Sequence, residues 1–79
     1  MNEVSVGKWI YVGENLIPAY ILKVINPDLV SAGYFQNDMK AIKENFEKVD
    51  GRWQFQSNSV GGSYLRGSDE AIVKAGPYK

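Results

Sequence analysis

Apolar and polar positions alternate over short runs along most of the chain, and turn residues break the runs at close intervals. Residues 8–12, Lys-Trp-Ile-Tyr-Val, join aromatic and β-branched types and predict a short strand. Gly13-Glu14-Asn15 is turn chemistry. Pro18 is placed at the start of the next strand, where its missing N–H does no harm. Residues 19–26 carry the strongest strand signal, and Pro27-Asp28 turns the chain. Residues 29–35 read as the antiparallel partner, with Gly33 marking a bend or a bulge. Residues 36–38 read as a further turn. Residues 70–76 read as a last strand ended by Gly76-Pro77.

The segment 39–49 fits two periods. As a helix it aligns Met39, Ile42, Phe46 and Val49 on one face, with Asp38 as N-cap and Lys40–Glu44 and Lys43–Glu47 as pairs four apart. The following residues favour a strand. Asp50-Gly51 is a strong signal for a two-residue hairpin loop. Such a loop pairs Val49 with Arg52, Lys48 with Trp53, Glu47 with Gln54 and Phe46 with Phe55. Phe46, Trp53 and Phe55 then share one face, while the other is nearly all polar, as a half-buried hairpin requires. The strand is the preferred reading, and a short helix over 39–48 is its alternative. Residues 57–70 read as a long turn-rich connection, in which Tyr64, Leu65 and Arg66 are the large side chains.

Seventy-nine residues make one small domain spanning 1–79, with a modest core. Five or six short strands in that length predict an all-β fold, a small and strongly bent barrel. The chain has neither cysteine nor histidine. Disulfides, thiolate metal sites, zinc sites, Cys–His nucleophiles and Ser–His–Asp triads are therefore excluded. No cofactor and no metal is expected. Nine basic and nine acidic residues give zero formal charge, which disfavours strong non-specific binding to nucleic acid and permits self-association. The start of the chain lacks the basic and apolar regions of a signal peptide. The most apolar stretch, 16–25, is short for a membrane span and contains Lys23. A cytoplasmic protein without membrane contact is expected.

The strand count, the short strands and the late Asp-Gly hairpin resemble the SH3-like and Tudor-like small barrels over most of the chain. The resemblance implies an SH3-like barrel of five or six strands. It does not carry proline-rich ligand binding, because Glu14 is the only acid in the first loop. The pattern "SAGYFQN…KAIKE…GSYLRG…AIVKAGPY" also resembles small bacterial proteins found on mobile gene cassettes. That resemblance implies a bacterial cytoplasmic protein able to self-associate, and implies no activity.

Two tryptophans, five tyrosines and three phenylalanines are more than a small core needs. In a strand at 8–12, Trp9 and Tyr11 share the face opposite Ile10 and Val12, so both faces are apolar. The same holds across 19–25. Either barrel curvature buries both faces, or a second copy covers the outer one through Trp9, Tyr11, Ile21 and Ile25. A non-catalytic interaction module, self-associating as a homodimer or binding another protein, is the preferred function. Single-stranded nucleic acid is the alternative, with bases stacking on Tyr34, Trp53 or Tyr64 beside Lys43, Arg52 or Arg66. An enzyme is the third reading, resting on the carboxylate pairs Glu44/Glu47 and Asp69/Glu70. Gly62 and Gly67 have the spacing of a phosphate loop. Ser68 and Asp69 occupy the places of its lysine and hydroxyl, and no helix is expected after them, so the match is taken as accidental.

Overall fold

The computed structural model describes residues 4–36, 40–56 and 63–77. Six strands and one helix follow in order: β1 (Trp9–Val12), β2 (Ile17–Asn26), β3 (Leu29–Gln36), β4 (Lys40–Val49), β5 (Arg52–Phe55), β6 (Ser63–Tyr64) and α1 (Gly67–Ala75). The first five pair in the order β3-β2-β1-β5-β4, and β3 also pairs with β4, which closes the sheet into an all-β barrel. Sequential neighbours are antiparallel. In an up-and-down barrel with an odd number of strands, the first and last run the same way. The closing pair β1–β5 is accordingly parallel, and it consists of one register pair, Val12↔Trp53.

The turns follow their residues. Asp50 (φ 53°) and Gly51 (φ 80°) form the two-residue loop of the β4–β5 hairpin, with the register expected from Asp-Gly. Segment 40–49 is a strand and not a helix: its inward residues Ile42 and Phe46 pair with Tyr34 and Val30 across β3. Pro27-Asp28 joins Asn26 to Leu29, and the Asn26 side chain accepts the Asp28 amide at 2.9 Å.

Curvature comes from β2. Its register against β3 slips between Ile21 and Lys23 and again between Val24 and Asn26. Leu22 and Ile25 are the extra residues. Each bulge coils the strand and reverses which side chains point inward. Gly33, expected at a bend, lies in unbroken register between Tyr20 and Lys43.

The barrel interior holds Ile10, Val12, Ala19, Ile21, Val30, Ala32, Tyr34, Ile42, Phe46 and Trp53, with Val4, Ile17 and Val24 packed against it. The rings of Phe46 and Phe55 lie 4.8 Å apart, and that of Tyr34 stands edge-on to both.

The C-terminal expectation is corrected. Residues 67–75 form a helix, not a strand over 70–76, and 63–64 pair with β4 within the connection expected over 57–70. Asp69 and Glu70 sit in the first turn and Lys74 in the last, as the helix dipole favours. Gly76 (φ 81°) and Pro77 end it. A helix therefore does follow the Gly62/Gly67 spacing. The accidental reading of that match rests on Ser68 and Asp69 alone. The turn expected at 36–38 falls largely outside the described residues.

α1 packs chiefly on β3 and reaches β2 and β4. Its one buried side chain is Val73. Gly33 is what lets it approach: a Cβ there would collide with Leu65 Cδ1 and lie 2.9 Å from Val73 Cγ2. Val73 and the buried Ala41 form a second apolar layer outside the barrel core.

Candidate functional site

The β1–β5 seam is the barrel's weakest join. In a two-residue hairpin, Val49–Arg52 and Glu47–Gln54 exchange backbone bonds, so the backbone groups of Trp53 and Phe55 face the other edge of β5. Trp53 C=O accepts from Gly13 N–H at 2.9 Å. Beyond that bond the chain turns away through Gly13–Leu16. The edge of β5 at Phe55 is left beside a cleft.

That cleft is two contiguous hollows of about 390 and 380 Å³. They share Gly13, Glu14, Arg52 and Trp53. Gln54 and Phe55 extend one, while Tyr11, Leu16 and Gly51 extend the other. Leu16 is 65% exposed and holds φ 51°, a left-handed conformation unfavourable for a branched aliphatic residue. Its amide donates to Gly13 C=O at 3.3 Å, which closes the turn. Tyr11 and Phe55 are also among the exposed large apolar residues. Glu14 and Arg52 are exposed, and neither forms an ion pair among the described residues.

A second surface lies on the β4–β6 edge. Lys40 Nζ is 5.2 Å from the centre of the Tyr64 ring and donates to its hydroxyl at 3.1 Å. Tyr64 is 63% exposed. A hollow of about 320 Å³ is lined there by Lys40, Ala41, Tyr64, Leu65 and Glu70. Arg66 is exposed at the N-cap of α1.

The eight residues singled out in the sequence do not converge on one place. Tyr11 and Arg52 line the seam cleft. Tyr64 and Arg66 belong to the β4–β6 edge. Ile25 is exposed on β2, its orientation set by the bulges. Ile21 is fully buried and Tyr34 is 4% exposed, so both are core residues and not contact residues. Trp53 is buried too, which removes it as a stacking platform. Trp9 is half-buried. It packs on Tyr20 at 5.3 Å between ring centres and faces Ala71, Ile72 and Ala75 across a small hollow. The apolar outer face at Trp9 is thus bordered, across this hollow, by the chain's own helix.

Of the proposed carboxylate pairs, Glu44 and Glu47 occupy opposite faces of β4. Glu44 points inward between Ile42 and Phe46 and accepts the Tyr34 hydroxyl at 2.8 Å. Glu70 is bonded to Lys74 at 2.9 Å. Among the described residues no cluster of three or more acids forms a metal site, and no helix is long and apolar enough to cross a membrane. Sequence reasoning missed Leu16 and Phe55. Phe55 does share the core face with Phe46, as expected, but it is left 38% exposed there, and nothing in the local pattern marks Leu16 as left-handed.

The fold and cleft define a small closed β-barrel with an open seam. Set against known protein families, curated proteins and solved structures, the chain matches none.

Proposed function

We propose that the protein is an SH3-like, non-catalytic interaction module that receives a segment of a protein partner in the seam cleft. The observation that carries this reading is Leu16. A left-handed, largely exposed leucine is strained and unburied, and such residues gather at ligand sites. Around it lie Tyr11 and Phe55, with Glu14 and Arg52 beside them. An exposed apolar patch rimmed by charge suits protein contact. The free edge of β5 at Phe55 can add backbone hydrogen bonds to an extended segment.

Selection from a displayed peptide library tests this. Selected peptides are expected to bind the wild-type chain and to lose at least about tenfold in affinity to Leu16→Asn or Phe55→Ser. Ile25→Ser, away from the cleft, should bind normally. Peptides indifferent to Leu16 and Phe55 would contradict the cleft.

A second reading has its own observation, the exposed Tyr64 ring beside Lys40, with Arg66 near it in the chain. It fits stacking of a single-stranded base. It requires oligonucleotide affinity that falls steeply with salt and is lost in Tyr64→Ala.

A further inference from the structure

We infer that the occupant of the seam cleft is a second copy of this chain, docked about a two-fold axis; this rests on the cleft being the contact surface. Three features of the patch carry the inference. Glu14 and Arg52 line the same two hollows, carry opposite charge, and form no ion pair with each other or with other described residues. A two-fold axis brings Glu14 of each copy toward Arg52 of the other, so the patch complements itself. The patch also contains both an exposed apolar side chain and a hollow. Leu16, 65% exposed, borders one hollow, and the Trp53–Phe55 stretch lines the adjoining one. Isologous docking inserts each Leu16 into the other copy's recess. Finally, the chain has zero formal charge, so no net repulsion opposes pairing. A stable dimer needs about 800 Å² from each partner, roughly a seventh of this surface of 5535 Å².

The two-fold arrangement makes a specific demand. Every dimer holds the Glu14–Arg52 contact twice, so one substitution is felt twice. Glu14→Arg alone and Arg52→Glu alone should each raise the dimer dissociation constant by at least about 100-fold. Mixed one to one, the two variants restore both contacts, since one chain then carries two positive charges and the other two negative. The mixture should form a heterodimer within about tenfold of the wild-type affinity, and the double variant should recover likewise. Both positions are exposed, so unchanged circular-dichroism spectra are expected and confirm that the variants fold, while loss of the dimer lowers their melting temperature.

The experiment is light-scattering mass across a dilution series for the wild type, each single variant, their mixture and the double variant. A wild-type dimer, monomeric single variants and a dimeric mixture are expected. A wild type that stays monomeric at millimolar concentration overturns the second copy. So does a dimer indifferent to either charge reversal, or a mixture that fails to reassociate. Peptide selection on the same proteins separates the two ideas: a monomer that still selects Leu16-dependent peptides keeps the cleft and loses only this occupant.

Discussion

Two non-glycine residues hold a left-handed backbone among those described, Leu16 and Asp50. Asp50 is at home in its turn, where aspartate is common. Leu16 is not. Replacing it with asparagine relieves the backbone without emptying any core, so Leu16→Asn should leave stability unchanged or raise it by up to about 1 kcal/mol. The same change should weaken whatever the cleft binds. Chemical denaturation and a binding titration on one variant read both effects, and a residue kept only for the fold would not separate them. Tyr34 is the opposite case. Its ring fills the core and its hydroxyl bonds the half-buried Glu44 at 2.8 Å. Tyr34→Phe should destabilise the barrel by about 1–2 kcal/mol in urea melts, because a carboxylate that points inward loses a donor.

At the scale of elements, α1 is attached by little. One side chain is buried, and its salt bridge is about 40% exposed at both ends. Such a pair contributes at most about 0.5 kcal/mol, so Lys74→Ala should barely move the melting curve. Gly33 matters more. A methyl group there has to displace Leu65 and Val73, so Gly33→Ala should cost about 1–3 kcal/mol. Hydrogen exchange should show α1 amides losing protection before those of β2–β4. The elements also show what a single sequence can say. The β4–β5 hairpin was legible because Asp-Gly fixes its register and both arms alternate in step. The helix was not. Adjacent Ile72 and Val73 look like a strand, and only Val73 is buried, so no helical stripe stood out. Its acidic first turn, terminal Lys74 and closing Gly76-Pro77 were the available signals. The bulges at Leu22 and Ile25 were hidden as well. Strict alternation puts Ile21 and Ile25 on one outer face, whereas Ile21 faces inward and the bulge at Leu22 moves the inward set on to Val24, which leaves Ile25 out.

For the whole molecule, the surplus of apolar surface divides in two. The part at Trp9, which packs on Tyr20, borders a hollow shared with α1. The part around Tyr11, Leu16 and Phe55 borders an open seam where one register pair joins β1 to β5. An odd strand number explains why the parallel join falls there, and the turn at Gly13 explains why it ends after one pair. Tyr11 and Arg52 stand out in the sequence as an aromatic and a charge on strands. Their meeting in one cleft was not legible there, since it depends on closure between strands far apart in sequence. The most direct test is to follow backbone amide chemical shifts of labelled protein as its concentration rises. Shifts confined to residues 11–16 and 51–55, with Trp9 and residues 71–76 silent, are expected if the seam is the contact surface. Shifts centred on Trp9, Tyr20 and α1, with the seam silent, would contradict it.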